Sequence, residues 1–560
     1  MALAFLFQQL RGLDMAPDLD LTALIVDHGH RPDSGEEALA VSTWLKDLSI
    51  KSKILQLRWR PGQDPARLTN FETKARSLRY QQFAYASLEE NIRSLFLGHH
   101  ASDLAETVIL RLARAQKFIS AGLGGIKPVN DIPCCESVFG ASCSLDEASA
   151  VSDLVSARSK RPATGQNSEC RSASSSDADD NSFPGRVLVS EPGMKIYRPL
   201  LSFPKSRLIA TCAQNGVPFI TDPSNFDPKT TRRNTIRWLL SNNKLPKALQ
   251  TESVLHLSAA SMRLGQARTR KVEALMNATR LIYFDTRSSL LRLIVPRDIS
   301  NAYKLSEQDA AYYVTRLLSL VSPRTETPRS FLDNIDVARW MFPELYVTNP
   351  SILDKPRDPR SMTAGDALIE RLPSLSGCCW QLTRRPFRAN EYPETGFSST
   401  STYSKGVDRY WSGWRAWDGR FWIRIQARNH PLLEQFKLRP LQRQDMEQLR
   451  AREELLPLAL KQKLRRAFRD AAPGKLRYTL PLLVHGEELR GLPTLDIELP
   501  SKDSLQGDVS SQLRWEVRYK GVTETLQHLN RAASPSHDLV KPLNGDLNGQ
   551  FSSPRNLEQS

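Results

Sequence analysis

Four short clusters hold the side chains best suited to chemistry. The first is His99-His100-Ala101-Ser102-Asp103-Leu104-Ala105-Glu106-Thr107. Asp103 and Glu106 are three residues apart and so share one face of a helix. Two carboxylates beside His99 are suited to hold Mg²⁺ through oxygen or to position a nucleotide. The same spacing also fits capping by Ser102, with acids favourably placed in the first turn. The second is Asp27-His28-Gly29-His30, directly after the apolar run Leu21-Thr22-Ala23-Leu24-Ile25-Val26. It reads either as a ligand-facing strand end with a tight turn at Gly29 or as an ordinary polar exit from a strand. The third runs from Asn70 to Tyr80. There Glu72 and Arg76 have ion-pair spacing, and Arg76 and Arg79 together suit a phosphate; a solvated charged face is the simpler alternative. The fourth joins Thr221-Asp222-Pro223-Ser224-Asn225 to Arg232-Arg233-Asn234-Thr235-Ile236-Arg237. Between Pro204 and Gln250 the only acids are Asp222 and Asp227, against Lys205, Arg207, Lys229, Arg232, Arg233, Arg237, Lys244 and Lys247. Such a local excess suits a polyanion such as RNA, or is simply a basic helix face.

The elements that must position these groups follow from hydrophobic periodicity. Helices are predicted over 2–10, 35–48, 70–88 and 103–115, alternating with strands over 21–26, 54–57 and 94–97. Regular alternation of this kind predicts an α/β, doubly wound parallel sheet, whose ligands bind beyond the carboxyl ends of the strands. The pattern opens on a helix, with no strand or phosphate-binding turn ahead of it. Residues 131–190 break it and include a Ser/Asp-rich tract at 172–181, predicted to be a disordered insertion. The expected organisation is a catalytic domain over 1–250, a helical and mixed middle region over 251–435, a C-terminal domain over 436–527 and a disordered tail over 528–560. The C-terminal domain carries the basic run Lys461-Gln462-Lys463-Leu464-Arg465-Arg466.

The bulk composition supports this frame. The chain has 560 residues, 40% hydrophobic and 25% charged, which is ordinary for a globular protein of several domains. No apolar run is long enough to span a bilayer. The net charge of +16 favours a polyanionic partner through counterion release. The seven cysteines are odd in number and form no C-x-x-C pair, which argues against a zinc ribbon or a disulfide framework and for a reducing compartment.

Taken in order, these clusters resemble the tRNA(Ile)-lysidine synthase family of the N-type ATP pyrophosphatase superfamily. That family's V-D-H-G-L-R segment is similar to Val26 to Arg31, and its E-x-x-A-R-x-x-R-Y helix to Glu72 to Tyr80. Its H-H-x-D-D-x-x-E-T motif resembles His99 to Thr107, with Ser102 in place of the first Asp. Its R-P-L-L segment resembles Arg198 to Leu201, and its D-x-S-N…R-N-x-I-R segment Asp222 to Arg237. A weaker likeness returns over 438–497, around Lys475 to Leu483.

The resemblance implies an adenine nucleotide alpha hydrolase-like fold with its first strand missing and smaller C-terminal α+β domains. It implies ATP-dependent ligation of free lysine to C2 of the wobble cytidine in a CAU-anticodon isoleucine tRNA. ATP and Mg²⁺ would be needed, and the setting would be mitochondrial or cytoplasmic. Asp103, Glu106 and His99 would be catalytic, with Asp103 on the metal, and Asp27 and His28 would lie at the nucleotide. Glu72, Arg76, Arg79, Asp222, Asn225, Arg232, Arg233, Asn234 and Arg237 would face the tRNA. The family's S-G-G-x-D-S phosphate loop, often followed by M-A-L, has no counterpart ahead of Met1-Ala2-Leu3. The expectation is an omitted upstream stretch, with weak ATP binding by the chain as it stands. The alternatives are a non-catalytic RNA-binding pseudoenzyme or another ATP-pyrophosphatase tRNA-modifying enzyme, although thiolases of that superfamily usually carry C-x-x-C pairs.

Overall fold

The computed structural model describes the chain except at 30–32, 58, 60–70, 115–122, 143–187, 190–192, 221–226, 230, 297–298, 324–330, 346–359, 374–377, 389, 404–409, 428–429, 453, 455, 501–512 and 532–560. The N-terminal part alternates helix and strand as the periodicity predicts: α1 (Ala2–Gly12), β1 (Thr22–Asp27), α2 (Ser34–Asp47), β2 (Lys51–Gln56), α3 (Phe71–Glu89), β3 (Ser94–Phe96) and α4 (Ala101–Ala113). β4 (Val129–Asp131), β5 (Leu188–Val189), β6 (Lys195–Tyr197), α5 (Lys205–Gln214) and α6 (Arg232–Ser241) follow. β1 and β2 pair in parallel, from Thr22 opposite Lys51 to Asp27 opposite Gln56. β3 pairs in parallel with β6, and β4 closes that sheet antiparallel. One apolar cluster serves both sheets: Leu55, Tyr80, Phe83, Ala84, Leu95 and Ile196 are buried in it, with Leu24, Val26 and Leu97 against its edge.

The expectation of a single doubly wound parallel sheet therefore needs correction. The fold class is α/β, but the strands form a two-stranded and a three-stranded sheet, with no ladder joining β1 to β3 among the described residues. The apolar β1 is accordingly half-buried along most of its length. A second correction concerns 131–190. Residues 131–142 are folded, with Ile132, Cys135, Val138 and Ala141 buried in the shared cluster. The Ser/Asp-rich tract at 172–181 lies outside the described residues, as does most of the 528–560 tail.

The long helix α7 (Thr251–Ala278) leads out of this domain. β7 (Arg280–Asp285) and β8 (Leu290–Val295) then form an antiparallel hairpin. Helices α8 (Ile299–Tyr303), α9 (Glu307–Val321) and α10 (Ile335–Met341) pack nearby. The remaining strands are β9 (Ser361–Ala364), β10 (Ala367–Leu372), β11 (Cys378–Arg384), β12 (Thr395–Gly396), β13 (Ser399–Tyr403), β14 (Tyr410–Ser412), β15 (Arg415–Trp417) and β16 (Phe421–Ala427). After α11 (His430–Gln435) come β17 (Phe436–Pro440), α12 (Arg443–Ala451), α13 (Leu458–Asp470), β18 (Pro481–His485), β19 (Glu488–Leu492), β20 (Ile497–Glu498), β21 (Arg514–Tyr519), α14 (Thr523–Gln527) and β22 (Asn530–Arg531).

These strands build three sheets, ordered β22-β7-β8-β11-β10-β9, β12-β17-β18-β19-β20 and β13-β14-β16-β21-β5 with β15 beside β16. A linear division at 435/436 does not describe them. One core runs from Val272 to Leu529 and includes Phe436, Leu438, Leu483 and Tyr519, while a smaller core fills 441–499. At their junction Arg420 is fully buried. It donates to Asp418 at 2.7 Å, Ser289 at 3.0 Å and the Thr479 carbonyl at 2.6 Å, so its charge is both paired and hydrogen-bonded.

Candidate functional site

The site forms where α4 leaves the carboxyl end of β3 and meets α6. α4 does not begin at Ser102 with a serine cap. It begins at Ala101, and His100 is the cap: its Nδ1 accepts from the Asp103 N–H at 3.4 Å, while Asp103 Oδ2 accepts from the His100 N–H at 3.1 Å. Two of the helix's orphan N–H groups are thereby satisfied. One turn further on, Glu106 is 2% exposed. It is held by Arg233 Nε at 2.8 Å and by Arg237 through Nε at 2.8 Å and Nη2 at 3.0 Å. Arg233 also donates to Asp103 Oδ1 at 3.2 Å. The partners are separated by 127 to 131 residues. α6 can deliver both arginines because 233 and 237 stand one helical turn apart, while Ile236 packs with Leu104, Ala105, Val108 and Val254.

A cavity of about 380 Å³ opens beside this network, lined by Arg79, Tyr80, Phe83, Leu97, Gly98, His99 and Asp103. Burial pushes the His99 imidazole down to about 4; Asp103 opposes the shift, and the charges of Arg198, Arg233 and Arg79 deepen it. The ring is therefore neutral near pH 7. Its Nδ1 is buried without a hydrogen-bond partner among the described residues. Tyr80 is 1% exposed, with the Arg76 and Arg79 guanidiniums 4.9 and 5.6 Å from its ring centre. Glu72 is exposed, and its charge acts on Arg233.

Asp103, Glu106, His99, Glu72, Arg76, Arg79, Arg233 and Arg237 are thus brought together as the sequence predicted, but several roles change. Arg233 and Arg237 are committed to Glu106 and Asp103 rather than presented to a phosphate. Glu106 accepts three hydrogen bonds from the two arginines, and each oxygen of Asp103 accepts one, from the His100 N–H and from Arg233. No group of three His, Cys, Asp or Glu side chains among the described residues has metal-holding geometry. Asn234 turns inward: it donates to the Asp227 carbonyl at 3.1 Å and its own N–H is capped by Thr231. Arg232 is exposed.

Asp27 is 7% exposed at the end of β1, where it accepts from the Gly29 N–H at 2.9 Å and the Ser34 hydroxyl at 2.6 Å. Those two bonds hold its carboxyl below the usual range. The turn needs Gly29 at φ 59°. His28 sits in the same turn, its carbonyl accepting from Trp59 at 3.3 Å. Asp222 and Asn225 lie outside the described residues. Sequence reasoning missed Arg198 as a site residue. It is 7% exposed, donates to the Lys127 carbonyl at 2.8 Å and to Asn130, and acts on His99. The only signal was an arginine preceding Pro199-Leu200-Leu201.

Comparison with known proteins covers the same elements. The PP-loop domain family matches residues 1–138 and 188–244. A probable tRNA(Ile)-lysidine synthase of Schizosaccharomyces pombe is 26% identical over 488 residues, covering 86% of this chain and 85% of that protein. The chain is thus similar to a tRNA(Ile)-lysidine synthase over most of its length. Among bacterial relatives, the tRNA(Ile)-lysidine synthase of Methylobacterium nodulans is 28% identical over 39% of this chain and 45% of its own length. That of Wolbachia pipientis wMel is 26% identical over 55% and 54%. The chain thus spans about half the length of these bacterial lysidine synthases. The matched PP-loop residues stop after β4 and resume at β5, so that match covers the elements that hold Glu106 and Arg233.

Proposed function

We propose that this protein is an ATP-dependent tRNA(Ile)-lysidine synthase with an adenine nucleotide alpha hydrolase-like catalytic domain. The observation that carries the proposal is the closure of Asp103, Glu106, Arg233 and Arg237 into one network beside a cavity containing neutral His99. In this reading the wobble cytidine O2 attacks the α-phosphorus of ATP and pyrophosphate leaves. The lysine amine then attacks C2, the C2–O bond breaks, AMP departs and the amine loses a proton. Asp103 and the unprotonated His99 line a space suited to an ammonium-bearing amine, as an anion and a lone-pair acceptor. Arg79 and Arg198 supply positive potential for charge developing on phosphate. Glu106 holds α6 in place. Mg²⁺, when bound with the nucleotide, would supply neutralisation of the phosphate charge.

A groove in the C-terminal region supports an RNA substrate. It measures about 730 Å³ between α12 and α13 and is bordered by Arg450, Lys461, Arg465, Arg469 and Arg477, with no acid in its lining. The test is incorporation of labelled lysine into CAU-anticodon isoleucine tRNA in the presence of ATP. Incorporation that needs both ATP and the CAU anticodon is expected. Tight tRNA binding without incorporation would replace the enzyme by an RNA-binding pseudoenzyme.

A further inference from the structure

Two segments of the catalytic domain are fastened to the C-terminal sheet at one place. Phe139 sits within turns anchored in the catalytic-domain core by Cys135, Val138 and Ala141. Its ring stacks on Trp414 with centroids 4.4 Å apart and meets Trp422 edge-on at 5.2 Å. The Arg518 guanidinium lies 5.5 Å from the Phe139 ring centre and 5.3 Å from that of Trp414. Arg424 lies 4.8 Å from Trp414 and 4.6 Å from Trp411, and Glu516 holds it at 2.7 Å. Strand pairing fixes this row, because Trp422 stands opposite Arg518 and Arg424 opposite Glu516 in β16 and β21. Independently, β5 adds to β21 in parallel, with Leu188 opposite Arg518. The chain on both sides of residues 143–187 therefore meets the C-terminal sheet at the same arginine.

Phe139, Trp411 and Trp414 are only half-buried. Alternating rings and guanidiniums hold through stacking and cation–π attraction, which are directional. A seam of this kind fixes orientation where apolar burial alone would let two domains slide. We propose that the row is a latch setting the span between the catalytic cavity and the basic groove of α12 and α13. Phe139 and Trp414 are then positioning residues for an RNA that must touch both. This rests on the tRNA reading above. Presetting the span makes the second contact effectively intramolecular, so loosening the seam weakens only ligands that bridge it.

The experiment uses the full chain and four variants: Trp414→Ala, Phe139→Ala, the double variant and Trp414→Phe. Each is titrated with full-length isoleucine tRNA and with its anticodon stem-loop alone. Small-angle scattering without RNA reports the interdomain span, and thermal melting checks the fold. Each alanine variant should lose about tenfold affinity for full-length tRNA while holding the stem-loop within about twofold. The double variant should be no weaker than the single ones, since both remove one stack. Trp414→Phe should restore tight binding, and the alanine variants should widen the scattering envelope. Phe139→Ala, on the other side of the stack, guards against a folding defect peculiar to Trp414. Equal loss for both RNAs, unchanged binding of both, or an unchanged envelope overturns the latch. A wild-type protein that binds neither RNA overturns the tRNA reading instead; a widened envelope in the alanine variants would still support the mechanical part.

Discussion

Replacing Glu106 by Gln keeps the shape of a buried side chain and removes its charge. Three short hydrogen bonds from Arg233 and Arg237 end on that carboxylate, at 2.8, 2.8 and 3.0 Å. Breaking a buried ion pair by removing one partner costs about 3–5 kcal/mol. Here the arginine side chains are 31% and 28% exposed and can recover water, and the amide oxygen still accepts one bond. The expected cost is therefore about 2 kcal/mol, between one and two charge-assisted hydrogen bonds. It should fall locally, because α6 is attached to α4 through these arginines. Hydrogen exchange of α6 amides should accelerate roughly 30-fold, with β16 and β18 unchanged. Arg237→Met leaves Glu106 with Arg233, so about 1 kcal/mol and a fivefold acceleration are expected. Acceleration below about threefold in Glu106→Gln, under roughly 0.7 kcal/mol, would show that the network does not hold α6 and would remove the basis of the proposed site.

Further outcomes can be checked alongside. Burial lowers His99 from 6.5 to about 4, so the unfolded chain takes up a proton between those values that the folded chain refuses. Stability should fall as pH drops through that window, by at most ~3 kcal/mol and by about 1–2 after screening at this part-exposed ring; urea midpoints of wild type and His99→Gln at pH 7 and pH 4.5 read the difference. Gly125 sits at φ 65°, and an added Cβ would come within 2.3 Å of Leu104 and 3.0 Å of Val108, so Gly125→Ala should destabilise α4 by about 2–3 kcal/mol, measured as a lowered melting midpoint. Charge reversal at Lys461 and Arg469 in the α13 groove should weaken tRNA binding and flatten the log–log salt dependence by about one unit for each phosphate no longer neutralised; an unchanged slope would remove the groove from the RNA footprint.

The local elements of the N-terminal part were largely legible from periodicity, because β1 and α4 carry their apolar residues at strand or helix spacing. So was the pairing of Asp103 with Glu106 on one helix face. The partners of those acids were not, since nothing in Arg232-Arg233-Asn234-Thr235-Ile236-Arg237 marks which arginines turn inward. That depends on Ile236 docking beside Leu104, a contact more than a hundred residues away in sequence. The cap at His100 escaped notice because serine is the commoner capping residue and stood two positions further on. Arg198 was hidden because a single arginine in a loop has no periodicity to betray it. The linear domain division failed for a different reason: composition shifts mark linkers but cannot show a chain returning to an earlier sheet.

That return has a consequence for how the protein is made. β22 lies against β7, more than two hundred residues upstream, and β21 completes a sheet begun by β14 and β16. The apolar faces of Phe284, Phe421 and Ile423 share a core with Tyr519, Val522 and Leu529. During synthesis those faces emerge from the ribosome long before their last partners and must wait, uncovered, until nearly the whole chain has been released. The apolar clusters of the catalytic half, whose members all lie before Ala278, can settle first. A nonsense codon anywhere between 436 and 513 would therefore spare the nascent catalytic half yet leave the remainder unable to close, a failure that would register as aggregation rather than as a shortened working enzyme.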